Sequence, residues 1–210
     1  MINNSFSWEL FEKVPIVGIL RNIAFEDFKN IFLVCQKAGL TNLEITMNTP
    51  RVEEMISYAF ENNEGFMNVG AGTVCSESDL ERALKAGSQF IVTPIISKVV
   101  IEKCVALGIP VFPGAYTPTE IYTAWSLGAK VVKVFPATAL GPSFIKDLKG
   151  PLDQIKLLPT GGVSLDNIQD FKAAGAAGYG IGSKLFNKKL IVEENWKGLQ
   201  EHIEQYILKT

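Results

Sequence analysis

The chain has 210 residues, of which 47% are hydrophobic and 20% are charged, and its formal net charge is -2. This length and composition predict one folded domain over residues 1–210 and exclude an intrinsically disordered chain. Lysine and arginine are dispersed along the sequence, so we expect no nucleic-acid partner. No apolar run reaches the roughly 18 residues of a membrane-spanning helix, so we expect no membrane partner.

The N-terminal segment MINNSFSWELFEK has polar and acidic residues where a secretory signal needs a cationic start and an apolar stretch. The three cysteines, Cys35, Cys75 and Cys104, are odd in number and too widely spaced for a zinc knuckle, which is typical of reduced thiols. Both features predict a cytoplasmic protein. Residues 3–12 are predicted to form a helix.

A helix-like stretch ending in Ala-Gly or Leu-Gly, followed within a few residues by an apolar run, occurs five times along the chain. A glycine just past a helix adopts the left-handed conformation that satisfies the last free carbonyl groups. Each instance therefore predicts the end of a helix and the start of a strand. The five glycines are Gly39, Gly87, Gly108, Gly128 and Gly175.

Short apolar runs predict eight strands, which lie at residues 16–20, 43–46, 68–72, 90–93, 111–114, 131–135, 156–159 and 179–182. Helical patterns lie between them, for example at residues 25–38 and at residues 76–86, where Ser76 is a suitable N-cap. Residues 190–208 are predicted to contain the last helix.

Eight alternating strand and helix units predict an α/β fold, a single (β/α)8 TIM barrel, with the N-terminal helix covering its bottom. An open doubly wound sheet is the alternative fold. The first strand is not followed by the Gly-x-Gly-x-x-Gly turn of dinucleotide-binding sheets, although this argues only against that subset of open sheets.

Polar residues at the carboxyl ends of the strands are candidates for the active site of such a barrel. Arg21 follows the first strand and can clamp a carboxylate or a phosphate; the alternative is an exposed surface arginine. In the second strand, alternation directs Glu44 and Thr46 into the barrel. Thr73 follows two glycines, Gly70 and Gly72, which allow a ligand to approach the backbone or simply form a tight turn.

The most informative single residue is Lys133, which interrupts the apolar run of the sixth predicted strand. Strand alternation directs it inward, so Lys133 and Glu44 are predicted to share one interior. An apolar cavity lowers the pKa of a lysine, and the neutral amine is then a nucleophile for a carbonyl group. A buried structural ion pair is the alternative, but such a pair contributes little to stability.

Glycine-rich turns follow the last two predicted strands, at Gly161-Gly162 and Gly182-Ser183. Phosphate sites in these barrels commonly form there, so we expect a phosphorylated ligand. The only histidine, His202, lies in the predicted last helix, where we expect a solvated or packing role. Without imidazole ligands near the strand ends we predict no metal and no other cofactor, and a carboxylate-bound Mg²⁺ is left as an alternative.

Taken together, these segments resemble the 2-keto-3-deoxy-6-phosphogluconate (KDPG) and 4-hydroxy-2-oxoglutarate (KHG) aldolase family. The resemblance rests on GILR at 18–21, LEIT at 43–46, VGAGT at 69–73, VTP at 92–94, PG at 113–114, VKVFP at 132–136, GP at 141–142, PTGGV at 159–163 and GS at 182–183.

This resemblance implies a cofactor-independent class I aldolase, a homotrimer, in which Lys133 forms the Schiff base and Glu44 is the general acid and base. It implies that the partners are pyruvate and a phosphorylated keto-deoxy sugar acid. The substrate-binding residues it implies are Arg21, Gly72 and Thr73, which hold the carboxylate end, and Gly161, Gly162 and Ser183, which take the phosphate, together with Thr160 and Gly182.

Two segments differ in the substrate that they favour. Residues 47–50, Met-Asn-Thr-Pro, resemble the branch that acts on the galactonate epimer, whereas Thr160 resembles the gluconate branch, in which a threonine contacts a substrate hydroxyl. We expect cleavage of KDPG to pyruvate and glyceraldehyde 3-phosphate, with the galactonate epimer or KHG as the alternative substrate. Two other classes stay open, a phosphosugar isomerase or epimerase and a non-catalytic phosphosugar-binding barrel.

Overall fold

The computed structural model describes residues 5–210 as an α/β fold of parallel strands and helices. The strands are β1 (Ile16–Leu20), β2 (Asn42–Thr46), β3 (Asn68–Gly72), β4 (Phe90–Val92), β5 (Val111–Phe112), β6 (Gly114–Ala115), β7 (Val131–Val134), β8 (Lys156–Pro159) and β9 (Tyr179–Ile181). The helices are α1 (Trp8–Lys13), α2 (Phe25–Ala38), α3 (Val52–Glu61), α4 (Glu77–Lys85), α5 (Lys98–Ala106), α6 (Pro118–Ser126), α7 (Gly141–Lys149), α8 (Ile168–Ala173), α9 (Lys188–Val192) and α10 (Trp196–Ile207). None of the helices within residues 5–210 has the length and apolar character needed to cross a membrane.

The predicted elements are found with two differences. The fifth predicted strand is divided into β5 and β6, because Pro113 lies between them and has no N–H for the ladder. The predicted helix at residues 3–12 begins only at Trp8, so its predicted start is wrong for residues 5–7, while residues 3 and 4 lie outside the described chain. Ser7 is extended and its side chain accepts a hydrogen bond from the Leu10 N–H, which makes it the N-cap.

The glycine pattern in the sequence is confirmed as a set of helix ends. Gly39, Gly87, Gly108, Gly128 and Gly175 all have positive φ, from 70° at Gly108 to 102° at Gly128. At the end of α2, the Gly39 N–H donates to the Gln36 carbonyl at 3.1 Å, and the Leu40 N–H donates to the Cys35 carbonyl at 3.0 Å. Each helix therefore ends where the next strand must begin, which sets the strand spacing along the chain.

The strands form two parallel sheets. The larger has the order β5-β4-β3-β2-β1-β9 and the smaller has the order β6-β7-β8. Two features lie where the sheets meet: the chain runs directly from β5 to β6 through Pro113, and an isolated parallel bridge pairs Thr160, just after β8, with Gly180 in β9. The carboxyl ends of all these strands therefore lie on the same side of the fold.

Alternating side chains along the strands enter two different cores. Leu43, Ile45, Val132 and Val134 belong to the large core between strands and helices. The smaller core contains Val131, which has the same parity as Lys133, together with Phe11, Val17, Phe90, Val92, Phe112 and Leu158. Because Lys133 has the same parity as Val131, this division agrees with the predicted inward direction of Lys133.

Aromatic side chains close the interior at the amino ends of the strands. The Phe6 ring meets the rings of Phe90 and Phe112 edge to face, with centroids 5.5 and 6.1 Å apart. Phe11 on α1, which is 2% exposed, lies 5.6 Å from Phe112. The prediction that the N-terminal helix covers the bottom is thus supported, and the carboxyl ends of the strands are left as the open side.

We expect Phe11→Ala to lower the free energy of unfolding by about 3–5 kcal/mol, because it leaves a cavity at the centre of this aromatic cluster. Urea unfolding followed by circular dichroism measures the change. Phe66→Ala is the matched control, since Phe66 is 62% exposed and its loss should change stability by no more than about 0.5 kcal/mol. Equal effects of the two substitutions would contradict the packing role of Phe11.

Candidate active site

Glu44 is buried in the interior against the strand beside it. In the β2–β3 register, Glu44 lies opposite Gly70 and Thr46 lies opposite Gly72. A Cβ atom on Gly72 would lie 1.7 Å from Glu44 Oε1, so the absence of a side chain there makes room for the carboxyl group. Glu44 is 1% exposed, and its Oε1 has no hydrogen-bond partner within residues 5–210. A buried oxygen without a partner is costly and points to a functional role.

Lys133 lies in the centre of the smaller sheet. Its register partners are Gly114 in β6 and Leu158 in β8, and the residue is 3% exposed. Its Nζ lies 4.8 Å from the centroid of the Phe135 ring. An aromatic face attracts a cation, so this ring favours positive charge on the lysine nitrogen.

The two buried groups influence each other's charge. Burial lowers the pKa of Lys133, the Glu44 carboxylate opposes that effect, and the Arg21 charge adds to it. Burial raises the pKa of Glu44, while the charges of Lys133 and Arg21 act to lower it. Within the described chain, the lysine nitrogen and the carboxylate oxygens do not approach within the 4.0 Å of an ion pair. Both shifts favour the neutral groups, and a neutral lysine is a nucleophile.

A cavity of about 740 Å³ opens at the carboxyl ends of the strands. Six of the residues predicted from the sequence line it, namely Arg21, Thr160, Gly161, Gly162, Gly182 and Ser183. Phe135 also lines the cavity, and its ring is the one that Lys133 Nζ contacts. Lys133, Glu44 and Gly72 do not themselves line this cavity, and Phe135 is the lining residue that connects it with the buried lysine.

The glycine turns present backbone N–H groups. Within residues 5–210, the N–H groups of Gly162, Ser183 and Lys184 make no hydrogen bond to another protein group. Free N–H groups at a turn are suitable donors to the oxygens of an anion. Thr160 directly precedes Gly161 and its side chain lies against β9, since a Cβ atom on Gly180 would lie 2.1 Å from its Oγ1.

The turn that carries Arg21 is tied to the end of β2. Asn22 has a φ of 52°, and its N–H donates to Thr49 Oγ1 at 3.1 Å. Thr49 Oγ1 in turn lies 3.1 Å from Thr46 Oγ1. This network holds the turn beside Glu44 and was missed in the sequence, because nothing marks two residues 27 positions apart as partners.

Other residues lie at the edge of the site. Thr73, half-buried with a φ of 56°, directly follows Gly72 but does not line the cavity. Cys75 is exposed and close enough to Lys133 for each to influence the pKa of the other. Phe135 was also missed, although it lies two residues after Lys133 and alternation places it on the same side. Within residues 5–210, no three His, Cys, Asp or Glu side chains converge as a metal site would require.

The model of the aldolase family described as "KDPG and KHG aldolase" matches residues 9–202. The chain belongs to this aldolase family. It is 34% identical over 195 residues to the 2-dehydro-3-deoxy-6-phosphogalactonate aldolase of Escherichia coli strain K12, covering 92% of this chain and 95% of that protein. It is 32% identical over 203 residues to the 2-dehydro-3-deoxy-phosphogluconate aldolase of Haemophilus influenzae, covering 95% of both. The relatives are named aldolases, which are lyases, and this chain is an enzyme of the same class.

A solved structure extends the similarity to the fold. The KDPG aldolase of Legionella pneumophila, with pyruvate captured at low pH as a covalent carbinolamine intermediate, has a TM-score of 0.85 to this chain. The two are 25% identical, and the alignment covers 93% of this chain and 95% of that one. The aldolase family thus accounts for both the sequence segments and the arrangement of strands and helices.

We expect Glu44→Gln to lower the pKa of Lys133 further, because the substitution removes the carboxylate that stabilises the ammonium form. Labelling with acetic anhydride over a pH series, followed by mass spectrometry of the Lys133 peptide, reports that pKa. Glu12→Gln is the control, since Glu12 is exposed and pairs with Lys156. An unchanged or higher pKa in the Glu44 variant would show that the two groups are not coupled.

Proposed function

We propose that this aldolase cleaves KDPG to pyruvate and glyceraldehyde 3-phosphate through a Schiff base on Lys133. The observation that carries the proposal is a buried lysine with a lowered pKa in the same interior as a buried, unpartnered Glu44 carboxyl oxygen. The carbinolamine captured in the Legionella relative supports covalent chemistry with pyruvate in the family. An isomerase or a binding protein would have no use for a nucleophilic lysine.

The first half of the reaction forms the covalent intermediate. Neutral Lys133 Nζ attacks the C2 ketone and gives a carbinolamine, and loss of water then gives a cationic iminium. The Phe135 ring beside Nζ favours this positive charge. A permanent positive charge near Glu44 also lowers the pKa of its carboxyl group, so the intermediate itself prepares Glu44 to act as a base.

The second half breaks the C3–C4 bond. Glu44, directly or through a water, takes the proton of the C4 hydroxyl; the bond electrons move into the iminium, glyceraldehyde 3-phosphate leaves, and an enamine remains. Glu44 then returns the proton to C3, and hydrolysis of the new iminium frees pyruvate and Lys133. Its buried carboxyl group suits both transfers, because a raised pKa lets it hold the proton between them.

We assign the ends of the substrate by charge. Arg21, with the turn after β3 at Gly72 and Thr73, is proposed to hold the carboxylate. The turns at Gly161-Gly162 and Gly182-Ser183 are proposed to hold the phosphate, and their position on one cavity with Arg21 supports this assignment. Thr160, which directly precedes Gly161 and pairs with Gly180, is proposed to contact a substrate hydroxyl.

The galactonate epimer of the substrate is the second candidate. Two observations favour it: residues 47–50 read Met-Asn-Thr-Pro at the end of β2, and the Escherichia coli relative named for that epimer is 34% identical. Thr160 supports the gluconate substrate instead. The two substrates differ in the orientation of one hydroxyl group, so the enzyme's preference for one of them depends on the contacts of that group, which contribute only a few kcal/mol.

We also propose that the two sheets belong to one (β/α)8 barrel domain. The direct passage from β5 to β6 supports this closure on one side, and the bridge between Thr160 and Gly180 supports it on the other. A closed barrel would keep water out of the interior around Lys133, which sustains its lowered pKa.

Incubation with pyruvate and borohydride should attach one pyruvate-derived group to the protein, and peptide mass spectrometry should locate it at Lys133. Lys133→Met should abolish both the adduct and turnover. Glu44→Gln should retain the adduct but slow turnover by about 100-fold or more, because it removes the general base.

Lys130→Met is the matched control, since Lys130 lies beside the Trp8 ring at the closed end of the interior. It should leave adduct and turnover unchanged. A protein that is active but gives no adduct at Lys133 would refute the Schiff-base mechanism, and normal turnover by Glu44→Gln would refute the role of Glu44.

Initial rates of pyruvate release should be greater with KDPG than with its C4 epimer, and greater with either than with KHG, which lacks the phosphate. A coupled lactate dehydrogenase assay measures all three values of kcat/KM. A higher kcat/KM for the epimer than for KDPG would assign the enzyme to the galactonate branch. A higher kcat/KM for KHG than for both phosphorylated substrates would refute the proposed phosphate site.

A further inference from the structure

The hydroxyl group of Tyr206 lies behind the two glycine turns, on the last helix of the chain. Tyr206 is 2% exposed, and its hydroxyl donates to the Lys184 carbonyl at 3.2 Å. His202, one helical turn earlier on α10, places Nε2 2.8 Å from the same carbonyl oxygen. The two rings meet edge to face, with centroids 5.4 Å apart.

The C-terminal segment also contacts the backbone of the other glycine turn. Lys209, also near the chain end, donates from Nζ to the Leu165 carbonyl at 2.7 Å. The C-terminal segment is thus bonded to both loops.

Each of these contacts lies close to the N–H groups that face the cavity. The Leu185 and Phe186 N–H groups donate to the Gly182 carbonyl at 2.9 and 3.0 Å, so residues 182–186 form one tight turn. The Lys184 carbonyl is part of that turn, and the free N–H groups of Ser183 and Lys184 lie on it. Leu165 follows Gly162 by three residues in the other loop.

We propose that the C-terminal segment holds the two loops at the separation required for one phosphate group to bind both, with Tyr206 and His202 as positioning residues on Lys184 and Lys209 as the link to Leu165. This inference rests on the proposed phosphate site. A phosphate group binds more tightly when the N–H donors on both loops are already held in place, because ordering the loops on binding costs free energy. Tyr206 and His202 do not line the cavity and so act through the loops.

Tyr206→Phe is the test, because it removes the hydroxyl group that donates to the Lys184 carbonyl and keeps the buried ring. We expect the Kd for inorganic phosphate, measured by titration calorimetry, and the KM for KDPG to rise roughly 3- to 10-fold, as the loss of one hydrogen bond predicts. The kcat for KDPG, the kcat/KM for KHG and pyruvate trapping at Lys133 should stay within about twofold of wild type, since none of them uses the phosphate contacts.

Tyr58→Phe is the matched control. It also removes one phenol oxygen, but from α3, where the ring packs against Phe25, Phe28 and Phe32. Phosphate affinity and both KM values should be unchanged in this variant. A merely structural role of Tyr206 would lower the melting temperature and affect both substrates equally, and that result would overturn the proposal.

Two further measurements separate the possible failures. If Tyr206→Phe does not fold, His202→Phe removes the other donor from a half-buried position, and unchanged phosphate affinity in that variant would overturn the proposal. If the wild type binds inorganic phosphate through Tyr206 but does not cleave KDPG, the proposed function fails and the positioning role stands. If the wild type cleaves KDPG and Tyr206→Phe leaves its KM unchanged, only the positioning role fails.

Discussion

The interior around Lys133 and Glu44 imposes the constraint on which the rest of the site depends. Both groups are buried, and they influence each other's charge without forming an ion pair within the described chain. A direct ion pair would favour the charged forms and remove the free amine. Gly72 is therefore as important as the charged groups, because only a residue without a side chain accommodates the Glu44 carboxyl group where it lies.

The two ends of the interior differ in polarity, one being apolar and closed and the other polar and open. At the amino ends of the strands, the rings of Phe6, Phe11 and Phe112 form a closed apolar base. At the carboxyl ends, turns with free N–H groups surround a cavity of about 740 Å³. The apolar base favours the neutral form of the lysine, and the proposed substrate would keep its two anionic groups near the polar opening while its ketone reaches the buried amine.

Much of this arrangement could be predicted from the sequence because it depends on local rules. Alternation along β2 and β7 placed Glu44 and Lys133 on the inner side, and the left-handed glycines predicted the helix ends. The predictions failed where a single residue changed the local hydrogen bonding. Ser7 caps α1 later than predicted, and Pro113 interrupts the fifth predicted strand.

The inward side chains and the ends of the helices can be read from the sequence alone, since both follow from neighbours a few residues apart. Which distant residues meet depends instead on the tertiary structure. The Asn22–Thr49 hydrogen bond and the link from Tyr206 to Lys184 join positions 27 and 22 residues apart, on turns and helices that no periodic pattern relates. Such contacts depend on how the strands are ordered in the sheets, and their energy is gained only when the whole chain has folded.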